Sequence, residues 1–282
     1  MRWLVALLGD AVVPVTLASS DPVVHSGRRS RGHRLHQELD EIRSAEELRS
    51  QLAAAGVVVD RQERAESIRS SIADQAVACG GEADCPQGLF EELVDLVEAP
   101  RVLKGEIADR YLDLPPEVIV TVMQSHQRYV PLKRLEASAD PLQLEARSVL
   151  LSDYLLVSNG LPDASSTIVS GNQRVLGARL ADAEFFLTVD RRQPSEDRRQ
   201  ALDRVTFAEG LGSLLDRSER ISWVMDQLVE ALNINNTLAG HARRAAHLCK
   251  HDLVSQMVGE FPELQGLMLS LIHISEPTRL SA

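Results

Sequence analysis

"GNQRVLGARLADAEFF", residues 171–186, sets Leu176, Leu180 and Ala183, with Leu187 just beyond, at spacings of four, three and four residues. That period lines one face of a 3.6-residue helix, so the stretch is a helix with one side in a core. Arg179 and Asp182 lie three apart and off the stripe. One reading makes them a solvated ion pair worth a few tenths of a kcal/mol; the other makes them a contact to something outside the chain.

The chain changes character on the two sides of this helix. Upstream, "MRWLVALLGDAVVPVTL" reads as two short strands joined by a tight Gly9-Asp10 turn. A basic loop follows, "HSGRRSRGHRLHQ". Ser44 and Glu47 form a capping-box pattern that opens the helix "AEELRSQLAAAG", which Gly56 ends. "VVVD" (57–60) reads as a short buried strand, and "RQERAESIRSSIADQAVA" and "GLFEELVDLVEA" as amphipathic helices around a cysteine loop. "RVLKGEI" and "RSVLLSDYLLVSNG" are strand-like. From residue 172 the pattern is helical nearly to the end, so the expected fold is α+β followed by an all-helical segment, with the boundary near "DASSTIVSGN".

Composition narrows the function classes. With 282 residues and 44% hydrophobic content the chain can bury a sizeable core, and its length suggests about two domains. Forty-one acidic against thirty basic residues leave a net charge of −11, which repels phosphate at long range, so any nucleic-acid contact must be local. Cys79, Cys85 and Cys249 are odd in number, and the spacing in "CGGEADC" is too wide for a zinc knuckle; they read as free thiols of a reducing cytoplasm. No apolar run approaches the roughly 18 to 20 residues of a membrane span. The alternation after Asp10 reads as a hairpin and not as a secretory leader.

Several segments, in order, carry a resemblance: "RWLVALLGDAVVP", "RGHRLH", "GLFEELVDLVEAP", "LPPEVIVTVMQSHQRYVPL", "GNQRVLGARLADAEFF", "LDRVTFAEGLGSLLDRSERI" and "RAAHLCKHDLVSQMVGEFPELQG". Together they resemble the β subunit of bacterial heterotetrameric glycyl-tRNA synthetase over residues 2 to 268, with "RLADAEFF" and "MVGEFPELQG" the most specific pieces. Gly177 and Leu35 depart from the family pattern, which often has a larger side chain at the first position and phenylalanine at the second.

The resemblance implies an incomplete editing-like α+β domain over residues 1–165 and the first helices of an HD-like domain over 166–268. It also implies family sequence before Met1 and after residue 268. "LSLIHISEPTR" resembles the translation of a sequencing-library adapter, so residues 269–282 are expected to lie outside the fold. The implied partners are the α subunit, a second β chain in an α2β2 complex, and the glycine tRNA, in the cytoplasm and with no membrane. ATP and magnesium are expected on the α subunit, with no cofactor on this chain. Arg174, Arg179, Asp182, Arg31, His33 and Arg34 are the candidate tRNA or subunit contacts.

One catalytic pattern competes. "HARRAAHLCKHD" ends in the His251-Asp252 pair of HD-type phosphohydrolases, and His247 lies four residues before His251, a spacing that can chelate on a helix. These three are weak metal candidates, because a competent site needs a further His and a later Asp. The alternatives to a synthetase β subunit are therefore a metal-dependent phosphohydrolase and a purely structural interaction module.

Overall fold

A computed structural model describes residues 3–35, 41–135 and 146–273. In chain order the first elements are β1 (Leu7–Leu8), β2 (Ala11–Val12), β3 (Thr16–Leu17), β4 (Val24–His25), α1 (Leu48–Ala54), α2 (Arg61–Ala78), β5 (Gly81–Ala83), α3 (Gln87–Leu96), β6 (Arg101–Glu106), α4 (Pro116–Thr121), β7 (Tyr129–Arg134) and β8 (Leu150–Ser158). Then come α5 (Ser165–Arg192), α6 (Ser195–Ala201), β9 (Thr206–Ala208), β10 (Gly212–Ser213), α7 (Leu214–Ala231), α8 (Asn236–Leu248), α9 (Gln256–Glu260) and α10 (Leu267–His273). The fold is α+β, followed by a mainly helical segment.

The expected hairpin is present: β1 pairs antiparallel with β2, Leu8 opposite Ala11, across Gly9 at φ +57°. Glycine at the first turn position supplies the positive φ that matches the strand twist. At the end of α1, Gly56 takes φ +79°, donating to Ala53 O while Val57 N donates to Leu52 O; this pair of bonds satisfies the last carbonyls of the helix. Ser44 Oγ accepts from Glu47 N at 3.3 Å, but the α-helix itself begins only at Leu48.

"VVVD" forms no strand. Its first N–H is spent on the α1 cap, and Asp60 already turns the chain into α2 by accepting from Gln62 N and Glu63 N. Only Val58 N reaches across, to Glu98 O, and Val59 is exposed.

The four-stranded antiparallel sheet has the order β5-β7-β8-β6. Ile68, Ile72 and Ala76 recur every four residues along α2 and meet Leu89, Phe90, Leu93 and Val94 of α3. Val102, Val130, Leu132 and Leu155 of the sheet complete this core. Full burial of each large apolar side chain stabilises by about 1.5–3 kcal/mol. Pro131 interrupts the ladder of β7, and the register shifts between Pro131 and Lys133, since a residue without N–H is tolerated inside a sheet only at such an irregularity.

Contacts divide the chain into two compact units, Met1–Pro116 with Met123–Gly177, and Glu117–Val122 with Ala178–Ala282. The division falls inside α5, twelve residues beyond the boundary between residues 165 and 166 that the resemblance implies. The cause lies in the first half of the helix. Asn172 Oδ1 accepts from the Tyr129 hydroxyl at 2.5 Å, Gln173 Nε2 donates to Glu106 O, and Gly177 O accepts from the Tyr111 hydroxyl at 2.9 Å. These bonds tie the opening turns of α5 to the sheet unit.

In the second unit, the stripe of α5 is buried as its spacing requires, with Leu180 and Ala183 wholly enclosed. α7 starts with a full capping box between Ser213 and Asp216. α10 reaches into the stretch expected to lie outside the fold: Leu271, one turn after the buried Met268, is itself buried. Residues 274–282 of that stretch lie outside the described residues, as do His36 and Gln37 of the basic loop.

Candidate functional site

The charged side of α5 does not form the ion pair that its spacing suggests. Arg179 Nη1 meets Glu260 Oε1 of α9 at 2.6 Å instead of Asp182, which is exposed. The cause is the fold of residues 255–260. Ser255 caps α9 by accepting from Val258 N, and Asp190 accepts from Gln256 N and Met257 N, both at 2.9 Å, so Glu260 is delivered beside Arg179. The two most family-specific stretches, "RLADAEFF" and "MVGEFPELQG", are thereby joined to each other.

Asp190 was missed by sequence reasoning, although a signal existed. It continues the apolar stripe three residues after Leu187, and an acid in a core register demands partners. It is 1% exposed, and its backbone carbonyl accepts from the buried Arg198.

Arg174 is exposed and lines a cleft of about 570 Å3 in the first unit, with Glu106, Arg110, Tyr111, Ser170 and Gln173. Arg110 lies over the Tyr111 ring at 4.5 Å and donates from Nη2 to the Tyr111 hydroxyl at 2.6 Å, and that hydroxyl donates on to Gly177 O.

The basic loop splits in two. Arg31 and Arg34 are exposed, Arg31 standing 5.9 Å over the Trp3 ring. His33 is buried instead. Its N–H donates to Ala55 O, and Nδ1 faces Leu35 N at 3.4 Å. Gly32 makes this possible, because a Cβ there would stand 2.5 Å from Ala55 Cβ. His33 lines a second cleft of about 500 Å3 with Arg64, whose guanidinium donates to the carbonyls of Val58, Val59 and Val94.

The three metal candidates go to separate tasks. α8 ends at Leu248, so His247 and His251 do not share one helix as their spacing suggested. His247 Nε2 pairs with Glu196 Oε2 at 2.9 Å, His251 Nδ1 bonds Leu248 O at 2.6 Å, and Asp252 Oδ2 accepts from Gly266 N at 2.6 Å. Among the described residues, no group of three or more His, Cys, Asp or Glu side chains is placed to hold a metal. All three cysteines are free thiols. Burial pushes the Cys85 thiol up to about 11, and burial also raises Cys79 and Cys249, which disfavours the thiolate that ligation or nucleophilic attack requires.

The comparisons with known proteins agree on one family. The model of the glycyl-tRNA synthetase beta subunit family matches residues 1–271. The chain is 40% identical over 269 residues to the glycine-tRNA ligase beta subunit of a Picosynechococcus species, covering 95% of this chain and 36% of that protein. It is 39% identical to the beta subunit of Acaryochloris marina, covering 100% of this chain and 38% of the relative. The beta subunit of Trichodesmium erythraeum is also 39% identical, with 95% and 37% covered. The chain thus spans a little over a third of the length of these relatives.

Proposed function

The chain belongs to the glycyl-tRNA synthetase beta subunit family, and from that membership we propose that it forms part of the β subunit of a glycine-tRNA ligase. Its role is to handle tRNA and hold the assembly together. ATP-dependent activation of glycine, with magnesium, falls to the α subunit in a cytoplasmic α2β2 complex. The observation that carries this reading is the match over residues 1–271. Within the fold, Arg179 pairs with Glu260, and the Asp190 and Asp252 carboxylates accept backbone N–H groups. No described helix is long and apolar enough to cross a membrane.

The phosphohydrolase alternative has no comparable support. Its Asp252 carboxylate is buried on a backbone N–H, and the His251 ring is turned onto a carbonyl. Two measurements test the proposal. The isolated chain is expected to give no glycine-dependent ATP-pyrophosphate exchange, and co-expressed α subunit is expected to purify with it. Exchange by the chain alone, or failure to retain the α subunit, overturns the proposal.

A further inference from the structure

We propose that the outward face of α7, formed by Trp223, Val224, Leu228 and Leu232, is the docking surface for the part of the β-subunit polypeptide that lies outside this chain. This docking surface presupposes the family-based reading and adds to it a partner within the subunit.

A surface helix that stands free in water is apolar on one side only. α7 is apolar on two. Leu214 and Val229 are buried on its inner side, while Trp223 and Leu232 are 65% and 66% exposed, and Val224 and Leu228 are exposed as well. The exposed residues are in register: Val224, Leu228 and Leu232 follow one another at four-residue intervals, with Trp223 beside the first, so they line one stripe over successive turns. Leu232 keeps to that helical path, since its N–H donates to Leu228 O at 3.0 Å. Single exposed apolar side chains are ordinary, but a contiguous row of them marks a surface that another chain segment covers.

The stripe stands on a fixed support. Ser213 and Asp216 cap the start of α7, and Arg243 Nε of α8 meets Asp226 Oδ1 at 2.7 Å. A partner therefore meets an ordered ridge, and little backbone freedom remains to be lost on docking.

Size and length identify the occupant. Each molecule contributes roughly 20–30 residues to a standard interface between separate proteins, so a second copy of this chain or a separate subunit would have to extend the contact well beyond this row. A segment of the same polypeptide needs no more than the row, because tethering holds it at an effective concentration of about millimolar. The relatives carry such polypeptide: the chain spans 36% of the Picosynechococcus beta subunit and 38% of the Acaryochloris marina one, so most of each lies outside the matched part. An apolar row calls for an apolar side on the segment that covers it, and a helix laid along α7 would seat its side chains between these ridges.

The test grafts this chain in place of the matched segment of the Picosynechococcus beta subunit. Side-chain exposure is read by hydroxyl-radical footprinting in this full-length chimera and in the isolated chain, each with and without the Picosynechococcus α subunit. Trp223 and Leu228 should be modified readily in the isolated chain at every concentration, and severalfold more slowly in the chimera without the α subunit. Equal modification in the two would overturn the surface. Protection that needs the α subunit, or that appears in the isolated chain as its concentration rises, would give the face to that subunit or to a second copy and overturn the occupant. Val224→Gln combined with Leu228→Gln should leave the melting temperature of the isolated chain unchanged and lower that of the chimera by several degrees. A comparable loss in the isolated chain would show that the row is packed within it, and would overturn the docking surface whatever the chimera does. Retention of the α subunit by the chimera is scored separately. Where it persists without protection of Trp223, only the docking surface falls; where it is lost, the family-based reading falls and the docking surface with it.

Discussion

At Leu180 none of the side chain reaches solvent, whereas Arg179 next to it keeps 39% of its side chain exposed in its pair with Glu260. Leu180→Ala should therefore cost about 2–5 kcal/mol, from lost transfer energy plus the cavity left behind. Arg179→Ala should cost under about 1 kcal/mol, because an exposed pair is screened by water. Urea denaturation of the two variants checks both values, and equal losses would contradict the assignment of faces on α5. A second outcome concerns Cys85, whose thiol is raised by burial from an ordinary 9.0 to about 11. Near pH 8, ionisation of the native thiol should be suppressed about a hundredfold relative to the unfolded chain, and its reaction with a disulfide reagent should slow accordingly. The rate measured in a Cys79→Ser, Cys249→Ser background, with and without urea, decides this. Comparable rates would mean that the thiol is not desolvated.

Two helices share one device at their N-termini. Backbone N–H groups of Gln62 and Glu63 hold the Asp60 carboxyl below its ordinary 3.8 at the start of α2. The Ser213 backbone N–H, followed by its hydroxyl, does the same for Asp216 at the start of α7. A carboxyl whose folded value is depressed stabilises the fold fully above its unfolded value, and that contribution is lost as pH falls through the lower folded value. Stability should thus decline in acid below about pH 4. Asp60→Asn with Asp216→Asn should make that decline shallower while lowering stability at neutral pH. Urea midpoints from neutral pH down to pH 3 test it, and a double variant with an unchanged acid limb would refute it. The caps also illustrate what is legible locally. Ser213 and Asp216 sit three residues apart, and Gly9 and Gly56 mark a turn and a helix end by their own backbone preference. "VVVD" misled because β-branched residues favour a strand only where a neighbouring strand offers its N–H and C=O groups.

At the scale of the whole chain, each unit buries its own apolar residues, among them Leu132 in the first and Leu264 in the second. Leu132→Ala and Leu264→Ala should each cost about 2–5 kcal/mol. Their double variant should match the sum within about 0.5 kcal/mol, because they belong to different clusters. A larger departure in a double-mutant cycle would mean that the two clusters are energetically one. Most of the secondary structure could be read from the sequence alone: the stripe of α5, the span of α2, the first hairpin and the change from α+β to helix. These features follow from interactions between residues a few positions apart, which periodicity and turn chemistry encode directly. The candidate contacts were a different matter. Arg179 meets Glu260 across 81 residues, Asp190 caps α9 across 66, and Asp252 turns inward to Gly266. The same exposed-looking arginine, aspartate or histidine pattern serves equally for a ligand or for a distant backbone group. Only the tertiary structure supplied these internal partners, because the returning chain brings Glu260, Gln256 and Gly266 beside them, and the buried Asp190 and Asp252 have no solvent to bond instead.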